Sequence, residues 1–278
     1  MPLELGYNTN GFAHHRLDDA IRILADLGYQ SVAITLDNYA LNPYSSELYS
    51  EVRSAKQLLQ SHDMCCVIET GSRFLLDPAR KHWPTLLTPD EDLRKRRFDF
   101  LNRAIEIAGL LDAEALSFWS GARDLRLTDE DAWSLLVDTC DALLTRAVQH
   151  DVYLAFEPEP GMFIERMDQF ARLSEELSHA RFGLTLDVGH LHCLNDGLPA
   201  NRIREFGRQL FNVHIEDMKS SAHEHLMFGE GEIAFEPIFT ALADARYSGT
   251  VNVELSRHSH DAVETARKAF EFLSNLNG

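Results

Sequence analysis

Cysteine is scarce in this chain: Cys65, Cys66, Cys140 and Cys193 are the whole supply in 278 residues, and none shares a CxxC spacing. They lie in apolar stretches and read as buried thiols, which excludes a disulfide-held scaffold and a cysteine-built zinc module. No apolar run reaches the roughly 18 residues of a membrane-spanning helix. Met1-Pro2-Leu3-Glu4 leads into structure with no charged-then-apolar leader, so a cytoplasmic protein with no membrane partner is expected. Positive charge is also short, with 26 Lys+Arg against 44 Asp+Glu and a formal net charge of −18. Such a field repels polyanions at long range and argues against nucleic acid as a partner. A small, largely neutral substrate fits it better.

What is present is a strict alternation of two periodicities. Strands are expected at Leu3–Asn8, Ser31–Thr35, Met64–Ile68 and Ala115–Phe118, and helices at Arg16–Leu27, Ser46–Ser61, Glu91–Leu111 and Asp129–Gln149. Leu17, Ala20, Ile21, Leu24 and Leu27 show the helical stripe in the first of these, and Gly28 follows it as a left-handed stop. Ser72–Asp90 is a long polar insertion that carries Arg73, Arg80, Lys81 and His82. Further helices are expected near Arg166–Leu177, Pro199–Phe206, Phe235–Ala245 and His260–Leu276. Four more strands complete the set, giving eight β-α units with no linker or low-complexity tract between them. Alternation of this kind implies a parallel sheet. Eight units in this length favour an α/β fold of the (β/α)8 TIM barrel type, with residues 1–278 as a single domain.

The last four strands end in chemistry. Val152–Phe156 delivers Glu157, Phe182–Leu186 delivers Asp187, Leu210–Val213 delivers His214 and Thr250–Val253 delivers Glu254. The four end residues stand 30, 27 and 40 positions apart, each about one strand–helix unit of roughly 30 residues. At one level of successive parallel strands they would converge, and buried carboxylates do not gather without a cation. Three oxygen ligands and one nitrogen suit one divalent cation, Mn²⁺, Mg²⁺, Co²⁺ or Zn²⁺, with positions left for substrate oxygens. The other reading of any single one is a helix cap or an ion pair. Glu159 lies on the same side as Glu157 in an extended chain and is an alternative ligand. His190, one turn after Asp187, either faces the site or caps. Val188-Gly189 is read as a turn, and the glycines of Gly229-Glu230-Gly231-Glu232 as a tight loop. His223 and His225 either extend the site or are ordinary loop residues, with His225 taken as a substrate contact. Arg73, Arg80, Lys81 and Arg123 could hold an anionic group; Asn8, Asn10, His14 and Glu69 could bond sugar hydroxyls; Phe74 and Trp119 could wall the pocket.

Asp187-Val-Gly-His190, Val213-His214-Ile-Glu-Asp217, Gly229-Glu-Gly-Glu-Ile233 and Val253-Glu254 together resemble the xylose isomerase-like TIM barrels. That superfamily includes sugar phosphate isomerases/epimerases, ketose 3-epimerases, inosose dehydratases, hydroxypyruvate isomerases and the endonuclease IV (AP endonuclease family 2) group. The resemblance implies Glu157, Asp187, His214 and Glu254 as metal ligands. It further implies Glu157 and Glu254 as the acid/base pair and His190 as a substrate contact. It implies an isomerase or epimerase acting on a small sugar, sugar phosphate or polyol carbonyl through an enediolate. Metal-dependent lyases of inosose or dehydroshikimate dehydratase type are the rival class, and a non-catalytic binding barrel is a third reading. The endonuclease group would place histidines where Glu69 and Ser117-Phe118-Trp119 stand, and an aspartate at His223. With the net charge of −18, DNA repair is set aside. Ketose 3-epimerases place an arginine soon after the His214 position; here Lys219-Ser220 stands there, and Lys219 is taken as the candidate contact. Related barrels pair as dimers or tetramers, which makes a homo-oligomer an expectation.

Overall fold

A computed structural model describes residues 3–277 of the chain. Its first strands are β1 (Glu4–Asn8), β2 (Ser31–Thr35), β3 (Cys65–Glu69), β4 (Leu116–Phe118) and β5 (Leu154–Phe156). They are followed by β6 (Phe182–Asp187), β7 (Leu210–Ile215), β8 (Asp217–Lys219), β9 (Ala222–Leu226) and β10 (Thr250–Val253). The helices are α1 (Leu17–Leu27), α2 (Leu48–Ser61), α3 (Glu91–Leu111), α4 (Asp129–Gln149) and α5 (Met167–Leu177). After them come α6 (Val188–Cys193), α7 (Pro199–Phe206), α8 (Glu236–Asp244) and α9 (Ala262–Leu276). Eight strands close in the order β1-β10-β7-β6-β5-β4-β3-β2, every neighbour parallel. The fold is a single-domain (β/α)8 TIM barrel, as the alternation of periods predicts.

Helix ends lie where the sequence puts them because their stop and start signals are local. Gly28 closes α1 at φ 101°, Asp90 accepts the Leu93 amide hydrogen at 3.0 Å to start α3, and Thr128 does the same for Asp131 at 3.1 Å to start α4. Two elements depart from expectation. Val188-Gly189 does not turn the chain but opens the short helix α6. The loop after β7 contains a two-stranded antiparallel hairpin, β8 and β9, outside the barrel. Ser72–Asp90 forms turns only, in keeping with its polar composition. Among the described residues no helix is long and apolar enough to cross a membrane.

The two faces of each strand are used differently. Leu5, Tyr7, Val32, Ile34, Cys66, Ile68, Leu154, Phe156, Leu184, Leu186, Val213, Ile215, Val251 and Val253 belong to the large apolar core that the helices cover. Their alternate neighbours point to the barrel axis, as the two-residue period of a strand demands. Those neighbours are small or polar: Gly6, Ala33, Val67, Ala115, Ala155, Thr185, Asn212 and Asn252. Asn252 Nδ2 donates to Asn212 Oδ1 at 2.9 Å and Thr185 Oγ1 meets Ser117 Oγ at 3.0 Å, so the polar layer is knit to itself. One layer higher, the same inward parity reaches Asn8, Thr35, Glu69, Glu157, Asp187, His214 and Glu254 at the C-terminal ends of the strands.

The hairpin and the following loop are held by one buried carboxylate. Asp217 accepts from the backbone N–H of Met218, Gly229, Gly231 and Ile233 at 2.9, 2.9, 2.9 and 3.1 Å. A Cβ on Gly231 would sit 2.2 Å from Asp217 Oδ1, which is why glycine stands there. Replacing Asp217 by Ala strands four amides. We expect a loss of about 3 kcal/mol, given roughly 1.5–3 kcal/mol for a hydrogen bond to a charged group. Urea denaturation should show a lower midpoint at unchanged slope; an unshifted midpoint would refute this role.

Candidate metal centre and active site

His214 is the hub. Its Nδ1 lies 2.9 Å from Glu254 Oε2, 3.2 Å from Glu157 Oε1 and 3.9 Å from Asp187 Oδ2. On the other side of the ring, Nε2 lies 2.9 Å from Glu69 Oε1. One ligand atom each from Glu157, Asp187, His214 and Glu254 fall within 4.8 Å of one another. Burial pushes His214 down, but the charges of Glu69, Glu254 and Glu157 outweigh it and hold the imidazole well above its ordinary value. Burial pushes Glu157 up to about 7 against the pull of His214. Glu254 is also raised by burial, yet His214, with help from His225 and His190, more than offsets this and holds it low. The four strand ends that sequence spacing singles out therefore do meet. Three of them are carboxylates, and His214 is the one nitrogen donor among them.

Three of the four side chains are fixed by a further contact. Asp187 caps α6, its Oδ1 accepting the His190 amide hydrogen at 2.8 Å, while Oδ2 is buried with no hydrogen-bond partner. One side chain thus divides its two oxygens between a helix end and the cluster. Asn10 Nδ2 donates to Glu254 Oε1 at 2.7 Å. Glu69, with Asn212 Nδ2 3.1 Å from its Oε1, orients the His214 ring from behind. A carboxylate on the remote nitrogen of a ligating histidine fixes its tautomer and its direction. An orphaned carboxylate oxygen, two further carboxylates and an oriented imidazole fit a divalent cation. Glu157 belongs to the cluster with Asp187, His214 and Glu254, whereas Glu159 groups with Glu157 and His190, its Oε2 3.7 Å from His190 Nε2.

A second, nitrogen-rich group adjoins the first. His190, His223 and His225 bring ring nitrogens within 4.8 Å of one another, with His190 Nε2 and His223 Nε2 3.1 Å apart. The hairpin does this: His223 and His225 are two apart on β9 and share a face. His190 Nδ1 faces the Pro158 carbonyl oxygen at 3.3 Å, and His225 Nδ1 lies 3.9 Å from Glu216 Oε2. Glu216 is fully buried, neither of its oxygens has a hydrogen-bond partner, and burial next to Asp187 raises its carboxyl well above the usual range. Sequence reasoning passes over Glu216. Its signal was two residues past His214 on the same side of an extended run.

A cleft of about 600 Å³ opens over the cluster. Glu69, Arg73, Phe74, Trp119, His225 and Glu254 are among the expected residues that line it, and Asn8 and Asn10 do so too. His190 lies below, almost fully buried. Lys219 is not brought to the cleft: it is exposed at the end of β8, because the hairpin carries it outward past His214. Arg80 and Arg123 are likewise spent elsewhere, paired with Asp77 at 2.7 Å and Asp129 at 2.9 Å, and His14 is exposed.

A family profile for the xylose isomerase-like TIM barrel matches residues 21–276. The chain belongs to this family. Within it, an inosose dehydratase of Geobacillus thermodenitrificans is 29% identical over 171 residues, 54% of this chain and 56% of that protein. The chain spans about half the length of the inosose dehydratases it matches. Among solved structures, the D-allulose 3-epimerase from Methylomonas sp. superposes with a TM-score of 0.76 at 19% identity, covering 99% of this chain and 98% of that one. The IOLI protein with a bound zinc atom superposes at 0.80 and 17% identity, over 99% and 98% of the two chains. At such identities the likeness is one of fold, and this xylose isomerase-like barrel keeps its own ligands to be judged by their geometry.

A cation held by these residues would compete with protons, since the carboxylates around His214 hold its imidazole above its ordinary value and burial pushes Glu157 up to about 7. Affinity for Mn²⁺ should therefore rise between about pH 6 and pH 8, by roughly tenfold per unit for each proton displaced. Calorimetry in buffers of different ionisation enthalpy reads that release directly. Glu69→Gln should weaken the same affinity by roughly 10–100-fold through the lost orientation of His214. A flat pH profile would overturn the assignment.

Proposed function

We propose that this protein is a divalent-metal-dependent isomerase or epimerase acting on a small sugar or polyol carbonyl. Glu157, Asp187, His214 and Glu254 would hold one cation (Mn²⁺, Mg²⁺, Co²⁺ or Zn²⁺), which when bound would polarise the substrate carbonyl as a Lewis acid. The observation that carries the reading is the placement of two glutamates. Glu157 follows β5 and Glu254 follows β10, strands separated in the barrel by β6 and β7. Their carboxylates enter one cleft from different sides.

Two carboxylates on either side of a substrate carbon can remove a proton from one face and return one to the other. Their surroundings differ in the way such a pair requires. Glu254 is gripped at both oxygens, by Asn10 and by His214, and is held ionised. Glu157 meets His214 through Oε1 alone and is raised toward neutrality by burial. Environments that split two carboxyl groups in this way assign base and acid at neutral pH. His225 and Asn10 line the cleft where they can hold substrate hydroxyls. The dehydratase relative makes elimination the rival outcome, since loss of a β-hydroxyl starts from the same proton abstraction.

The test is incubation of the metal-loaded protein with a panel of ketoses and keto-polyols in D₂O. Solvent deuterium should enter at carbon with the skeleton and oxidation level unchanged. Glu157→Gln and Glu254→Gln should each slow exchange by about 10³-fold, with bound metal quantified in parallel because both residues are ligands. Release of water instead of exchange would move the protein to the lyases. Absence of both reactions across the panel with metal bound would refute catalysis on this substrate class.

A further inference from the structure

The side of the cleft formed by the Ser72–Asp90 insertion is built unlike the side that holds the carboxylates. Lys81 and His82 line the same cleft as Glu157 and Glu254, and Arg73 does so beside them. His82 sits in the left-handed region, φ 62°, its backbone N–H donating to the Arg73 carbonyl at 2.6 Å. Its Nδ1 lies 2.5 Å from the Gly71 carbonyl oxygen. That nitrogen must carry the proton, because a carbonyl only accepts, and Nε2 is left as a lone-pair acceptor. The ring packs edge-on against Trp119 with centroids 5.4 Å apart. Beneath Trp119 lies Arg97, fully buried, 4.6 Å from the ring centroid, its Nη1 donating to Ser72 Oγ and its Nη2 to the Thr70 carbonyl.

This corner is cationic in an acidic protein. Among the described residues neither Lys81 nor Arg97 pairs with a carboxylate, and Arg73 has only Asp37 at 3.8 Å. Burial, then the charge of Lys81, with smaller pushes from Arg97 and Arg73, holds His82 down to about 4. Arg257, the other cation on the cleft, is already matched by Glu224 at 2.9 Å. Of the three positive charges around this imidazole, Lys81 and Arg97 have no carboxylate partner and Arg73 has one at long range, although the chain as a whole carries −18. The net charge alone favours a neutral substrate; the local arrangement points the other way.

We propose that this corner is an oxyanion subsite: Lys81, backed by Arg73 and the buried Arg97, takes an anionic group of the substrate, and His82 Nε2 accepts a hydrogen bond from a neighbouring hydroxyl. The inference rests on the sugar-carbonyl reading above and narrows it to acidic derivatives, a phosphate ester or a carboxylate. An ammonium on a flexible stem suits either as a point charge. The long-range field of the protein opposes an anion, so binding depends on these side chains rather than on diffuse attraction.

The test is equilibrium titration of metal-free protein at low salt with inorganic phosphate, acetate and glycerol phosphate, which makes it independent of metal loading and turnover. Phosphate or acetate should bind near millimolar, about −4 kcal/mol, and the tighter of the two identifies the ester or the acid. Lys81→Met should weaken that binding at least tenfold and flatten its salt dependence. Lys95→Met, on the exposed face of α3, should change neither. His82→Asn keeps a donor for Gly71 and tolerates the left-handed backbone, yet has no acceptor at Nε2; it should remove any advantage of glycerol phosphate over phosphate. Failure of both anions to bind, or equal binding to Lys81→Met and the unaltered protein, overturns the subsite. Either result leaves the exchange assay to judge the catalytic reading separately.

Discussion

Burying negative charge around a single imidazole is the constraint on which the rest of this structure depends. Glu69, Glu157, Asp187 and Glu254 all approach His214 within 4 Å at the mouth of the barrel. Desolvated carboxylates repel one another and resist ionisation, so the arrangement is stable only with a cation at its centre. The imidazole of His214 stands where these carboxylates converge, and the same donor set fits a divalent ion. Everything near the cluster then reads as support: Asn10 on Glu254, Asn212 on Glu69, and the polar interior layer that gives those amides partners.

The same economy explains the motif after β6. Asp187 ends a strand, caps a helix and faces the cluster, three duties that need its position fixed on both sides. Gly189 follows because a Cβ there would come within 2.0 Å of Glu216 Oε1. The close approach brings His190 down onto the histidines of the hairpin. Backbone and site chemistry cannot be separated in these four residues.

Much of this was legible in the sequence because its signals are local or periodic. The bounds of β2, α3, α4, α7 and β10 follow from apolar period and caps, and coincide with expectation. The convergence of Glu157, Asp187, His214 and Glu254 was readable because each stands at the C-terminal end of its apolar run, and parallel strands put those ends at one mouth of a barrel. What escaped depends on contacts between segments distant in the chain. The helix α6 is only six residues long and contains Gly189, too short for any period to show. The hairpin strands carry His223, Glu224 and His225, polar residues with no β-propensity to announce them. Glu216 and Asn212 look like ordinary strand residues until the barrel closes around them. Lys219 was misplaced for the same reason: without the hairpin, a residue five past His214 looks close to it. Total charge averages away local groupings, such as that of Lys81 and Arg73 on the cleft with Arg97 buried behind Trp119.

Each barrel strand gives one row of side chains to the helices and the alternate row to the axis. Stability and chemistry are thereby written on opposite faces of the same ribbon. Leu184 and Leu186 anchor the scaffold while Thr185, interleaved with them, faces the axis and does not share that duty. Inward positions are free to drift from one reaction to another with the packing between sheet and helices left intact. A lineage built on such staves can change its trade without first rebuilding its house.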